Sequence, residues 1–220
     1  MEILVCVKRV PTVGGKITVT PDGQEVDTRM SGFSISPHEE CAVEEAVQIT
    51  ERDGGTVSVL TLGPEDAIEQ LRGALTLGAG RAVLLGNEAA DTGDYQVGIR
   101  VAHELGWPVV TGIKHLSVSP VGVVARREYR GVEEAYELPL PAVITVKEGI
   151  NLPRYPSLPG RLRAKRAQVE QTATAWAPEG LRKESLRVPP SAKHQATVLG
   201  NGPDAVPGLI RVLDEWGILP

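Results

Sequence analysis

The side chains able to do acid–base, nucleophilic or metal chemistry are few and scattered. Four histidines, His38, His103, His115 and His194, lie too far apart to form a local metal or relay motif. Cys6 and Cys41 are the only cysteines, neither a CxxC pair nor the basis of a disulfide framework. The sequence has no GxSxG elbow, no HExxH helix, no GxxxxGKS/T loop and no GxGxxG turn after its first strand, so the common hydrolase, metalloprotease and P-loop chemistries have no motif to rest on. An acidic turn stands out instead. In LLGNEAADTGDYQVG, Leu84 to Gly98, a strand-like run meets a glycine and then a helix start, a layout whose amides often hold a phosphate. Glu88, Asp91 and Asp94 would repel one. A second candidate is SPHEE: Ser36 can cap a helix, Pro37 sits in its first turn, and His38 stands beside Glu39 and Glu40. His38 reads either as a solvated first-turn residue or as an imidazole facing a ligand, and Cys6 as packing inside a strand.

These residues need a scaffold, and composition says which kind. The 220 residues, 41% hydrophobic and 23% charged, can bury one large core and carry an appendage. With 4% aromatic residues and a single phenylalanine, Phe33, the core falls to Val, Leu, Ile and Ala, a palette suited to buried parallel strands. A net charge of -5 argues against a general nucleic-acid binder. MEILVCV opens on a strand without a basic leader, and no apolar run reaches membrane length, so a cytoplasmic protein without membrane insertion is expected.

The pattern alternates strand and helix. Ile3 to Val7 predicts a first strand, and Lys16 to Val26 a surface hairpin around Pro21-Asp22-Gly23. SPHEECAVEEAVQITERDGG predicts a helix capped at Ser36 and ended by Gly54-Gly55, with Cys41, Ala42, Val43, Ala46, Val47 and Ile49 as its buried stripe. TVSVLTLG, the helix PEDAIEQLRGALTLGAG, AVLLG and a third helix starting near Asp91 to Gly93 complete a βαβαβα order, which predicts a parallel sheet covered by helices on both faces. From Val109 onward TGIKHLSV, GVVARREYRG and VEEAYELPL predict two or three antiparallel strands leading to PAVITV, a last buried strand of the main sheet. NLPRYPSLPGRLRAKR reads as a proline-punctuated loop entering a basic helix, Thr172 to Pro203 lacks periodicity, and DAVPGLIRVLDEWGILP reads as a short amphipathic helix. The expected organisation is an α/β domain over residues 1–169, including the loop 151–166, and an extended arm over 170–220 that lies on another protein.

Six segments, taken in order, resemble the family of electron transfer flavoprotein β subunits: VCVKRV, ECAVEEAVQI, LTLGPEDAIEQLRGALTLGAGRA, LLGNEAADTGDYQVG, ELPLPAVITV and NLPRYPSLPGRLRAKR. The resemblance implies a Rossmann-type α/β fold like that of the adenine nucleotide alpha hydrolases, and a heterodimer with an α subunit that holds most of the FAD. It also implies a structural AMP in this chain. Its contacts would come from Cys6, from Ser36, Pro37, His38 and Glu39, from Leu62, and from the turn Asp91, Thr92, Gly93, Asp94, Tyr95, Gln96 and Val97. In that setting Asp91 caps the following helix, the amides of 92–97 face the phosphate, and the acidic side chains turn to ribose, solvent or helix amides. Leu158, between Ser157 and Pro159, occupies the position of a leucine that enters a pocket of partner flavin dehydrogenases, while a plainer reading buries it within its own subunit. The following Arg161, Arg163, Lys165 and Arg166 would steer acidic partners. The family's onward acceptor is a membrane quinone oxidoreductase. An electron carrier of this kind has no substrate turnover of its own.

Some positions depart from the family pattern. Val13 and His38 stand where aromatic residues approach the flavin, Gly93 where an acid is usual, and Tyr95 where a small polar residue is common. Arg81 runs through Ala82 and Val83 straight into Leu84, where typical members have a further strand and helix. This implies a shortened wall for the nucleotide pocket. Two alternatives remain open at this stage: a bifurcating-type subunit with FAD in place of AMP, and a stand-alone adenine-nucleotide sensor or hydrolase of the same fold.

Overall fold

The computed structural model describes residues 1–12, 17–76, 84–86, 95–167, 169, 184–188 and 198–218. In chain order the elements are β1 (Glu2–Cys6), β2 (Val10–Pro11), β3 (Phe33–Ser34), α1 (Pro37–Asp53), β4 (Thr56–Leu60), α2 (Ile68–Leu75), β5 (Leu84–Gly86), α3 (Val97–Leu105), β6 (Val109–Ile113), β7 (His115–Ser119), β8 (Gly122–Tyr129), β9 (Val132–Leu138), β10 (Val143–Val146), α4 (Leu158–Arg166) and α5 (Val206–Glu215). Short 3-10 turns at Glu65–Ala67 and Gly202–Ala205 lead into α2 and α5.

Five strands form a parallel sheet in the order β4-β1-β5-β10-β6. β1 is therefore an interior strand, flanked by β4 and β5, and the chain order reverses beside it. Such a reversal opens a crevice at the carboxyl ends of the strands. The side-chain period of two sends Ile3, Val5 and Val7 into the main core with Ala42, Val43, Ala46, Val47 and Ile49 of α1, while Cys6 faces a smaller cluster built from Ala102, Trp107 and Val143. All four residues of β10 are buried, as expected for a strand covered on both faces. Phe33, the single phenylalanine, supports the Arg9 guanidinium, 3.2 Å from its ring centroid.

α1 forms as its sequence predicts. Ser36 and Glu39 make a reciprocal capping box, Pro37 opens the helix, and Gly54 ends it at φ +76°. The hairpin around Pro21-Asp22-Gly23 is present as a Val19–Val26 bridge with Thr20 and Glu25 paired through their main chains.

Two expectations need correction. The third helix, α3, begins at Val97, with Tyr95 just before it at a left-handed φ of +57° that a right-handed helix does not take; the expected start at Asp91 to Gly93 falls outside the described residues. TGIKHLSV is not one antiparallel strand. It breaks at Lys114, placing β6 in the parallel sheet beside β10, and β7 in a separate antiparallel sheet with β8 and β9. Gly112, at a φ of +72°, lies within β6 where its register against β10 shifts. Only residues 76–83 separate α2 from β5, too few for a further strand and helix.

Candidate functional site

Three strand tips and one helix start converge at the carboxyl edge of the sheet. β1 ends at Cys6, opposite Leu60 of β4 and Leu85 of β5. α1 is anchored over this edge by Glu39, whose Oε1 accepts from the main-chain N–H of Lys8 at 2.9 Å and whose Oε2 accepts from that of Ser36 at 2.8 Å. The carboxylate is buried, 5% exposed, and its charge is spent on two main-chain donors. Ser36, 1% exposed, accepts from the Glu39 N–H through Oγ at 3.3 Å.

His38 is tied to the neighbouring strand. Its Nδ1 accepts from the N–H of Glu148, two residues beyond β10, at 2.8 Å. In that pairing Nδ1 acts as the acceptor of the ring. The plainer reading of His38 as a merely solvated residue is thus too weak, because it joins α1 to the end of β10. Burial, then the nearby Glu39 carboxylate, pushes the Cys6 thiol up to about 11, so it stays protonated and uncharged near neutral pH.

Glu39 turns its carboxylate onto the main-chain donors of Lys8 and Ser36, and the Cys6 thiol beside it is uncharged near neutral pH. Pro37 is exposed and opens α1. Leu62 lies two residues past β4 and is 84% exposed. Tyr95, Gln96 and Val97 stand at the start of α3, which packs on β6 and β10. Asp91, Thr92, Gly93 and Asp94, like Val13, fall outside the described residues. The structure therefore gathers Cys6, Ser36, Pro37, His38 and Glu39 around one strand tip and leaves Leu62 beyond the neighbouring one.

Leu158 lies elsewhere, in the first turn of α4, which packs on α2. Ser157 caps that turn, accepting from Gly160 N–H at 3.1 Å, and Leu158 is 71% exposed, so burial within its own subunit does not occur. Leu152 and Tyr155 nearby are 89% and 95% exposed.

Sequence reasoning missed Glu44, Glu45, Asn151 and Arg154. Glu44 is 2% exposed, and although burial alone would raise it, hydrogen bonds from Arg154 and Gln48 hold its carboxyl below the ordinary value. Glu45 is raised by burial despite a hydrogen bond from Asn151. The signal was AVEEAV, two acids inside an apolar run; their partners come 106 and 110 residues later. Among the described residues no cluster of His, Cys, Asp and Glu could hold a metal ion, and no helix is long and apolar enough to cross a membrane.

Residues 26–96 and 83–176 match the electron transfer flavoprotein domain. The chain is similar to electron transfer flavoprotein subunit beta of Bacillus subtilis (strain 168), at 32% identity with 78% of each chain covered. It is 31% identical to the subunit of the same name from Bradyrhizobium diazoefficiens, covering 80% of this chain and 82% of that one. The mitochondrial subunit beta of Arabidopsis thaliana is 33% identical, with 78% and 81% covered.

Proposed function

The chain belongs to the electron transfer flavoprotein family, and from that premise we propose that it is the β-type half of a two-subunit electron carrier. It completes a flavin site with an α-type subunit, accepts electrons from flavin dehydrogenases and passes them to a quinone oxidoreductase. FAD, held mainly by the α subunit, supplies the ring that takes up and releases the electrons. Cys6, Ser36, Pro37, His38, Glu39 and Leu62, together with residues 91–97, hold AMP as a structural nucleotide. His38, held through Nδ1 by the Glu148 N–H, is the residue of that junction on the flavin side. Residues 170–220 lie along the α subunit, α5 placing its apolar side there. The carrier has no turnover of its own and works in the cytoplasm.

The observation that carries this reading is Leu158. An apolar side chain left 71% exposed on a segment stiffened by Pro153, Pro156 and Pro159 suits a partner's pocket, since a fixed loop loses little entropy on docking. Co-expression with an α-type chain tests it. The β chain alone should be colourless and the complex a yellow heterodimer whose acid extract contains AMP and FAD. Two FAD per complex would replace AMP by a second flavin. A colourless monomer that hydrolyses ATP would overturn the reading.

A further inference from the structure

The segment between β10 and α4 has no regular structure, yet α1 holds it at every third residue. Glu148 N–H donates to His38 at 2.8 Å. Asn151 Nδ2 donates to the Cys41 carbonyl at 3.0 Å and to Glu45 Oε2 at 2.9 Å. Arg154 then spans two turns: Nε and Nη2 reach Glu44 Oε1 at 3.0 and 2.9 Å, Nη1 and Nη2 reach Glu51 at 2.7 and 2.8 Å, and the Arg154 N–H reaches Glu44 at 3.2 Å. These contacts advance along α1 in the same order as along the segment. Beyond the last of them come the exposed Tyr155 and Leu158. The far side is seated by Gly160, where a Cβ would collide with the main chain of Thr76 at the end of α2.

Glu44 and Arg154 differ in what they need. A carboxylate as buried as Glu44 is costly without a partner, whereas Arg154, with its side chain 38% exposed, does not need burial to be satisfied. The planar fork meets two carboxylates at once, a geometry that fixes direction as well as distance and that a lysine point charge does not reproduce.

We propose that Arg154, clamped between Glu44 and Glu51, is a positioning residue that locks the segment 147–157 along α1 and presents Leu158 in one orientation before any dehydrogenase arrives. This rests on the reading of Leu158 as the docking anchor. It adds that α1, which carries His38, also holds the segment that leads into the anchor on α4.

The test uses the heterodimer with its α-type subunit and the variants Arg154→Lys, Glu51→Gln and Leu158→Ala. Glu51→Gln keeps Glu44 paired with Arg154, so it folds even where the arginine variant does not. Two readouts are needed: hydrogen exchange of peptides covering 147–158, and KM and kcat for reduction by a flavin dehydrogenase that reduces the wild-type complex. Preorganisation predicts faster exchange confined to 147–158 and a KM raised ~5-fold in Arg154→Lys and ~2-fold in Glu51→Gln, with kcat and reduction by dithionite unchanged. Leu158→Ala should raise KM on its own, and adding Arg154→Lys to it should raise KM little further. If Leu158→Ala raises KM while Arg154→Lys and Glu51→Gln change neither KM nor exchange, the positioning role is overturned and the docking reading stands. If Leu158→Ala leaves KM unchanged, both are overturned.

Discussion

Helices α1 and α5 carry similar sequence signals and meet opposite surroundings. Both are amphipathic with a proline in the first turn, yet nine residues of α1 are buried and none of α5. α1 lies on the parallel sheet with its stripe in the main core. Among the described residues α5 packs on the 3-10 turn that leads into it and lies against Leu199, and Val206, Leu209, Ile210 and the following Trp216 are from 47% to 72% exposed. α1 also has a side-chain cap and α5 has none. Periodicity thus specifies a helix and one apolar face, but not what covers that face. In α1 the cover is the chain's own sheet. In α5 the described residues leave that face uncovered, and the proposed arm assigns its cover to the α subunit.

The largest expected effect separates the two helices by assembly. Deleting residues 201–220 should abolish co-purification with an α-type subunit while leaving the thermal midpoint of the isolated chain nearly unchanged. A large fall in that midpoint would mean that α5 belongs to this chain's own core. Next comes a matched pair of substitutions read by denaturant unfolding of the isolated chain. Ile49→Ala removes a side chain that is 1% exposed and should cost about 2–5 kcal/mol. Ile210→Ala, at 52% exposed, should stay within about 0.5 kcal/mol. Equal costs would erase the distinction.

A smaller effect tests the cap. Ser36→Ala should cost about 1 kcal/mol, because the Glu39 N–H loses the side-chain acceptor of the capping box and keeps only the Ser36 carbonyl. The smallest is electrostatic. Glu44 and Glu51 are both held below the ordinary carboxylate value of 4.5, Glu51 chiefly by its hydrogen bond from Arg154. A carboxylate lowered on folding stabilises the fold above its unfolded value, and that stabilisation is lost as pH falls through the folded one. The denaturation midpoint should therefore decline below about pH 4.5, and Glu51→Gln should make that decline slightly shallower. An unchanged slope would show that the exposed half of the clamp adds nothing to stability.

How far the sequence could be read depended on how local each signal was. α1 was legible from Ser36 to Gly54 because caps, proline and stripe all act within a few residues of one another. The start of α3 was not: its capping residues look ready at Asp91, but the helix begins at Val97, after the left-handed Tyr95. TGIKHLSV carries a β signal throughout, and nothing in residue type says that its two halves belong to different sheets. At the site, Ser36 and Glu39 were visible as a helix start, but as nucleotide contacts only through resemblance. The link from His38 to Glu148 spans 110 residues and had no local mark.

The sequence by itself determined the alternation of strands and helices, the aliphatic core, the capped start of α1 and the family to which the chain belongs, because these follow from short-range periodicity and from motifs kept in order. Tertiary structure decided the rest. It chose the strand order that sets β1 at the crevice, turned Glu39 inward onto Lys8, buried Glu44 and supplied Arg154 as its partner, and left Leu158 outside. The reason is physical: a side chain's type fixes what it can bond to, but which groups come within 3 Å of it is decided by chain segments a hundred residues away.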